Sequence, residues 1–451
     1  MILRNMTRWI ALAILAIPAA AAAQQPGQDV TTLASLLAQA EATNPRILAA
    51  VNTAEAAEAR VPQAGALPDP MLGVGVMNFP VADPSLGRDM MTMTTIQLGE
   101  RFPWPGKLGL REEVAALMAE AARWEVERTQ QEVLADVKAT YYRVYFLDRA
   151  LEVTGRNEVH VGDFARLTSA KYSVGTGAQP DVLKAQVERT RLADQVVALA
   201  EERTSAVARL NALLGRPTDT PLPSTDLPEG LRAAALEQES TVASFASASL
   251  PGLAAADGQT APGIPSVAEL QRLALEHNPM IQAHVRRVAA QERALSLAEK
   301  AKLPDVSISL AYSRRADVGD FANVMVSAPL PVFSGRKQDQ AVVEEAAVLA
   351  DHRARHQVMV DQVDAEIASL AAGLQRARDQ LVLLNDGILP QARTSLSSAT
   401  ASYQVGRVDF LTLLDAQVTL YRHELDYHRL LFDFAADLAA LERAVGTGVT
   451  R

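Results

Sequence analysis

The sequence predicts an α+β protein in which one plan of long helices and paired strands occurs twice. The first observation is an internal repeat, since Tyr172-Ser173-Val174-Gly175 recurs as Tyr403-Gln404-Val405-Gly406, 231 residues later. The second is a seven-residue apolar periodicity over segments much longer than an ordinary globular helix. The third is a pair of segments in each half where apolar residues alternate with small or polar ones. Together they indicate coiled-coil helices attached to a small sheet.

The repeat extends through most of the chain. Asn44-Pro45 returns as Asn278-Pro279, and Leu67-Pro68-Asp69 returns as Leu303-Pro304-Asp305. Solenoid repeats have periods of about 20 to 50 residues, so a period this long indicates duplication of a whole subdomain. The fold should therefore have internal pseudo-symmetry.

The domain plan follows from this duplication. We expect a first repeat at 24–215 and a second at 266–446. Between them, residues 216–265 are rich in Pro, Ala, Ser and Gly, which predicts a linker with at most a short helix at about 231–240.

The N-terminal residues 1–23 have the order of a cleaved secretory signal. Arg4 and Arg8 precede an apolar run, and small residues end at Ala23. The chain has no cysteine, which excludes disulfides and thiolate metal sites. Its net charge of −10, with no basic cluster, argues against nucleic acid as a partner and suits cationic cargo. We expect an exported protein.

Each half contains one predicted strand pair, at about 71–102 and about 306–330. In the clearest segment Val306, Ile308, Leu310 and Tyr312 alternate with small residues, and a charged turn is expected from Arg314 onward. Strands of about ten residues with one apolar face are what a membrane β-barrel requires. Four strands cannot close a barrel and strand edges cannot stay unpaired in lipid, so several copies must contribute.

The helical hairpins are predicted at about 107–215 and about 336–446. The first helix, from about Lys107 to Lys171, would span about 100 Å at 1.5 Å per residue. Heptad spacing predicts coiled-coil packing in both halves. The apolar positions that carry it are Val133, Val137, Val144, Leu147, Leu151, Val363, Ile367, Leu370, Leu374, Ala377, Leu381, Leu384 and Ile388.

Each long helix is expected to end at a glycine, Gly175 in the first half and Gly406 in the second, because glycine adopts the left-handed helix stop. Asp181 and Asp409 follow near the start of the returning helix, where its dipole favours carboxylates. A helical hairpin should turn at each glycine.

These features resemble the TolC family of outer-membrane efflux proteins over nearly the whole mature chain. The resemblance is carried by the signal segment, the duplicated plan, the paired Tyr-x-Val-Gly and Leu-x-Ala-Gln-Val segments, and Phe102-Pro103-Trp104-Pro105-Gly106-Lys107. The Leu67-Pro68-Asp69-Pro70 segment and the Pro-Trp-Pro-Gly-Lys stretch are most similar to the metal-efflux branch, of the CzcC and CusC type.

The resemblance implies a homotrimer whose chains share a twelve-stranded barrel in the outer-membrane lipid and a helical periplasmic tunnel. It further implies a passive conduit without enzymatic activity or cofactor. Its partners would be a periplasmic adaptor and an inner-membrane pump of RND type, with heavy-metal cations as cargo. A drug-efflux or type I secretion channel is the alternative within the family.

The resemblance also places a constriction just after the hairpin turns. Carried over by position, the constricting residues are Asp181, Asp415 and Thr412, which replaces a second acidic residue, while Arg407 lies beside the position of the gate arginine. A ring of like charges repeated by threefold symmetry would attract cations. The alternative is that Asp181 only caps a helix and Asp415 is solvated.

Two further groups of residues suggest metal chemistry. Met77, Met91 and Met93 carry thioethers that suit copper(I), although methionine also fills sheet walls and loops. His352 and His356 are spaced to share one helix face and could bind a transition metal, although histidines on a polar face are common.

Trp104 is predicted to anchor the joint between strand and helix at the membrane–water interface. The flanking prolines cannot continue either element.

Two other classes of protein fit the sequence less well. A periplasmic coiled-coil adaptor would also have a signal and heptads, but with one helical hairpin rather than two and without membrane-type strands. An enzyme has least support, because His423-Glu424 and His428 do not match the zinc-protease spacing.

Overall fold

The computed structural model describes residues 32–81, 91–236, 264–315 and 319–449, and the predicted signal at 1–23 lies outside them. The helices are α1 (Leu33–Thr43), α2 (Pro45–Gly65), α3 (Lys107–Ser173), α4 (Gln179–Leu213), α5 (Glu229–Leu236), α6 (Val267–His277), α7 (Pro279–Lys300), α8 (Gln338–Val382), α9 (Leu389–Gln404) and α10 (Phe410–Val445). The strands are β1 (Met71–Met77), β2 (Met93–Phe102), β3 (Val306–Arg315) and β4 (Phe321–Ser327). Each half therefore runs from two helices through a strand pair to a long helical hairpin.

Of the helices in these ranges, none combines the length and the apolar character needed to cross a membrane.

The four strands form one antiparallel sheet in the order β1-β2-β3-β4. The two halves meet in its centre, where β2 pairs with β3 from Met93 opposite Arg315 to Phe102 opposite Val306. Arg314 and Arg315, expected in a turn, thus belong to β3. Thr95 and Ser313 share a side-chain hydrogen bond of 2.9 Å across this pair. The outer strands β1 and β4 are the two edges of the sheet in the single chain.

The sheet has two chemically different faces. The register puts Val74, Ile96, Tyr312 and Ala322 side by side, and the neighbours on that face are mostly aliphatic. The opposite face carries mostly Gly, Ser, Thr, Gln and Asn, with a few methionines and with Arg101, Arg315 and Phe321. Many apolar side chains on the first face are exposed in the single chain, among them Leu72, Val74, Leu98, Leu310, Val324 and Val326.

Two strands end earlier than the alternation predicts, each for a local reason. β1 ends at Met77 because Asn78 adopts a left-handed φ of 51°. β4 ends at Ser327, since Pro329 and Pro331 have no amide hydrogen to donate to a strand ladder.

The two helical hairpins differ in continuity. α3 is unbroken for 67 residues, whereas residues Leu383–Ile388 form a π-helical turn between α8 and α9. Pro390 explains the turn, because it cannot donate to the carbonyl of Asp386 and its ring crowds that carbonyl. The predicted heptad register therefore fails at its end: Ile388 is 38% exposed.

The main core lies where the middle of α3 packs against the final turns of α4 and α10 and against α8. Its aromatic and aliphatic side chains include Tyr145, Leu147, Leu210, Ile367 and Phe434, all nearly inaccessible to solvent. The segment after α4, predicted as a linker with at most a short helix, contains α5 and contributes to the same core. Leu222, Leu227 and Ala235 of this segment are buried there.

The duplication is visible in two matching asparagines. Asn44 begins α2 and donates from Nδ2 to the carbonyl of Leu213 at 2.7 Å, and Asn278 begins α7 and donates to the carbonyl of Ala444 at 2.7 Å. Each asparagine thus caps one helix and satisfies the C-terminal end of another. Gly446 allows this approach, because it has a φ of 88° and a β-carbon there would lie 2.3 Å from the carbonyl oxygen of His277.

Candidate functional site at the helical-hairpin turns

The first hairpin turns at Gly175, which has a φ of 78°. The amide of Gly175 donates to the carbonyl of Tyr172 at 3.0 Å, and the amide of Thr176 donates to the carbonyl of Lys171 at 2.9 Å. This pair of bonds is the Schellman motif, which satisfies the last carbonyls of α3. The sequence folds in this way because glycine adopts the left-handed conformation without steric cost.

The second hairpin turns at Gly406 with the same geometry and a φ of 71°. The amide of Gly406 donates to the carbonyl of Tyr403 at 3.1 Å, and the amide of Arg407 donates to the carbonyl of Ser402 at 2.9 Å. Arg407, predicted beside the gate position, therefore closes the turn through its backbone, and its side chain is exposed.

A contact between Lys171 and Tyr403 joins the two turns. The Lys171 Nζ donates to the Tyr403 carbonyl oxygen at 2.5 Å and lies 4.1 Å from the centre of its ring. Tyr403 packs against Phe410 in a small core that also contains Ala185 of the first hairpin. Tyr172, the equivalent tyrosine of the first half, is 49% exposed, whereas Tyr403 is 5% exposed. The duplicated motif thus occupies two different environments.

Asp181 lies in the first turn of α4 and is half-buried. Burial, and then the negative charge of Asp181, raise the pKa of the Tyr403 phenol. The charge of Asp181 is therefore felt at Tyr403 of the second hairpin.

Asp409 is the residue that caps α10, and its role involves Thr412. Its Oδ1 accepts hydrogen bonds from the Thr412 amide at 2.9 Å and the Thr412 hydroxyl at 2.6 Å. These bonds, led by that of the hydroxyl and assisted by Lys184, hold the pKa of Asp409 below its usual range. The Thr412 hydroxyl, predicted to line the constriction, is thus engaged in the cap, although its side chain remains exposed.

Asp415 is exposed on α10, one turn beyond Thr412. The charge of Asp181 acts on Tyr403 of the second hairpin, but no contact between described residues joins Asp181 to Asp415. Basic residues also accompany the carboxylates of the two turns. The charged residues of the two turns are Lys171, Asp181, Lys184, Arg407, Asp409 and Asp415.

A second polar cluster lies where the sheet meets the helices. Asp305 accepts hydrogen bonds from the Trp104 amide at 3.0 Å and from the Lys107 Nζ at 2.7 Å. Lys107 also donates to the carbonyl of Leu303 at 2.6 Å and is nearly buried. Trp104 itself is 38% exposed beside this junction. Lys107 was not predicted to act here, although it ends the Pro-Trp-Pro-Gly-Lys stretch.

The methionines do not converge on a metal site. Met77 and Met93 are opposite each other in the register of β1 and β2, while Met91 is exposed just before β2. In the ranges that the structure describes, no three His, Cys, Asp or Glu side chains form a ready-made metal site.

Comparison with known sequences decides the family. The sequence model described as "Outer membrane efflux protein" matches residues 36–216 and 270–447, which include both hairpins and all four strands. The chain belongs to this family. It is an outer-membrane efflux protein, and its two matched segments coincide with the two halves of the duplicated fold.

Similar proteins cover nearly the full length of this efflux protein. The cobalt-zinc-cadmium resistance protein CzcC of Cupriavidus metallidurans is 22% identical over 425 residues, which are 92% of this chain and 90% of CzcC. Among solved structures, the outer-membrane channel OprN is similar with a TM-score of 0.75 at 20% identity, covering 92% of this chain and 90% of OprN. CusC is similar with a TM-score of 0.75 at 16% identity, covering 92% of each chain. The predicted TolC-like fold is confirmed.

Proposed function

We propose that this efflux protein works as a homotrimer in which three four-stranded sheets close into one twelve-stranded barrel. The support is physical: β1 and β4 are edge strands in the single chain, and lipid offers no hydrogen bonds to unpaired edges. The aliphatic face of the sheet would contact lipid and the small polar face would line the pore.

The proposed cargo is heavy-metal cations. This proposal rests on the likeness to the cobalt-zinc-cadmium resistance protein CzcC, which covers 92% of this chain. The net charge of −10 is compatible with it.

The proposed partners are a periplasmic adaptor and an inner-membrane pump of RND type. The hairpin turns are the natural docking place, because they present apolar side chains to solvent at the end opposite the sheet. Those side chains are Tyr172, Val174, Leu183, Val405 and Leu411.

Deletion of the protein and measurement of growth inhibition tests the cargo. Cells that lack it should lose tolerance to cobalt, zinc, cadmium, copper or silver more than tolerance to hydrophobic antibiotics, and the wild-type protein should restore it. The amount of protein in the outer membrane is measured in parallel. Unchanged metal tolerance with a large loss of antibiotic or detergent tolerance would instead favour a drug-efflux channel.

A further inference from the structure

A cavity of about 260 Å³ lies at the end of the sheet from which the long helices begin. Its walls come from the segment before β3, the segment after β4 and the first turn of α8. It is therefore far along the chain from the hairpin turns and separate from the site described there.

Three lysines line this cavity, and two of them are already paired. Lys107 pairs with Asp305 at 2.7 Å, and Lys302 pairs with Asp339 at 2.7 Å. The third, Lys337, is exposed and has no carboxylate partner among the residues that the structure describes. The ion pairs of the cavity thus leave one positive charge uncompensated.

Polar groups beside Lys337 also favour an anion. Lys337 is the N-cap residue of α8, and no side chain caps this helix. The first amides of a helix have no acceptor within it, and together with the helix dipole they attract negative groups. The Oε1 of Gln338, which lines the cavity, is inaccessible to solvent and makes no hydrogen bond. A buried polar atom without a partner calls for a ligand or a water.

Exposed apolar side chains border the same cavity. Leu330, Val332 and Phe333 line it and are 78%, 75% and 75% exposed in the single chain. They follow β4, whose Val324 and Val326 belong to the aliphatic face of the sheet. The apolar surface of the sheet thus continues up to an unpaired cation. Exposed apolar patches of this kind mark sites of contact with a protein or a membrane.

We propose that the cavity binds a glycerophospholipid, with its phosphate at Lys337 and the first turn of α8 and its acyl chains over Leu330, Val332 and Phe333. The inference rests on the proposed barrel, which places this end of the sheet at the membrane surface on the side of the helices. Trp104, 38% exposed at the same end, suits that level, because tryptophan is enriched at membrane–water interfaces. Basic pockets at this level bind lipid headgroups.

The test is native mass spectrometry of the protein purified in mild detergent, washed free of lipid and titrated with dioleoylphosphatidylglycerol. About one phospholipid should bind per chain of the trimer. Dioleoylglycerol, which has the same acyl chains without the phosphate, should bind roughly tenfold more weakly, because a hydrogen bond to a charged group contributes about this factor. Inorganic phosphate, which has no acyl chains, should also bind far more weakly than the phospholipid.

Two variants locate the site. Lys337→Gln should weaken phospholipid binding roughly tenfold, for the same reason. Phe333→Ser should weaken it several-fold, because less apolar surface is left for the acyl chains. Lys184→Gln, at an exposed lysine near the hairpin turns, is the matched control and should leave the affinity unchanged.

Equal binding of dioleoylglycerol, or full affinity in Lys337→Gln, would overturn the phosphate site. Equal binding of inorganic phosphate, or full affinity in Phe333→Ser, would overturn the seat of the acyl chains. A trimer that binds no phospholipid would overturn the whole proposal while the barrel stands. A chain that stays monomeric would instead contradict the barrel on which the proposal rests.

Discussion

The Lys171 ammonium of the first hairpin donates a hydrogen bond to the Tyr403 carbonyl oxygen of the second and lies 4.1 Å from the centre of its ring. A cation at the C-terminal end of a helix is favoured by the helix dipole, and a cation over an aromatic face is favoured by the ring quadrupole. The two halves of the duplicated chain are therefore held together at the hairpin turns by a contact that uses both effects.

Replacement of Lys171 by Met should weaken the packing of the two hairpin turns against each other. The variant loses a charge-assisted hydrogen bond and a cation–π contact, together about 1–3 kcal/mol, while it keeps the length of the side chain. Single-channel conductance in planar bilayers should rise. Lys184→Met is the matched control, because Lys184 is an exposed lysine of the same turns that does not bond to Tyr403. Equal conductance changes in both variants would show that the lost charge, rather than the contact between Lys171 and Tyr403, controls the conductance.

Replacement of Asp181 and Asp415 by Ala should reduce cation selectivity and weaken block by multivalent cations. Three chains would supply six carboxylates near the narrow end, where fixed charge concentrates counterions. The change should be modest, because Lys171, Lys184 and Arg407 already offset part of this charge.

Asp194→Ala is the control for that measurement, since Asp194 is exposed on the same helix as Asp181 but about 20 Å further along it. The trimer should persist in all variants. Unaltered selectivity and block in the double variant would mean that these aspartates do not form the constriction.

Local patterns in the sequence were sufficient to predict the strands and the hairpin turns. Alternation located the strands, and the Tyr-x-Val-Gly motif located both turns. It could not predict the different burial of Tyr172 and Tyr403, because identical motifs acquire their environments only when the two hairpins pack. The hydrogen bond from Lys171 to Tyr403 could not be predicted for the same reason.

The structure also shows where patterns mislead. A heptad pattern continues to Ile388, but Pro390 converts the preceding turn to a π-helix and turns that side chain outward. The hydrogen bond from the Thr412 hydroxyl to Asp409 could likewise not be predicted from the sequence.

Asn278→Ala should destabilise the protein by about 2–4 kcal/mol. The substitution removes a helix cap and leaves the buried carbonyl of Ala444 without its donor. Asn278→Ser is the informative comparison, since a serine hydroxyl can keep the cap while the amide donor to Ala444 is removed, and it should lose about half as much. Thermal unfolding in detergent measures both. An unchanged midpoint in Asn278→Ala would contradict the role of this residue.

The stability of the folded chain should fall as the pH drops from 6.5 towards 4 because of His428. Burial, reinforced by Arg149, lowers the pKa of His428 to about 4. Below pH 6.5 the unfolded chain takes up a proton that the folded chain does not, so the contribution present at neutral pH is lost through this window. The loss should be about 2 kcal/mol.

His428→Gln should flatten this part of the stability profile, whereas His160→Gln, at an exposed position, should not. Unfolding midpoints measured at pH 7 and pH 4.5 give the comparison. An equally steep loss in His428→Gln would assign the pH dependence to other groups.

The mass of the protein extracted from the outer membrane in mild detergent, measured by native mass spectrometry, tests the proposed channel most directly. Three chains of 48.4 kDa, less any cleaved signal segment, should remain together, because the edges of β1 and β4 are satisfied only by neighbouring copies. A stable monomer that retains its full β-sheet content would contradict the shared barrel.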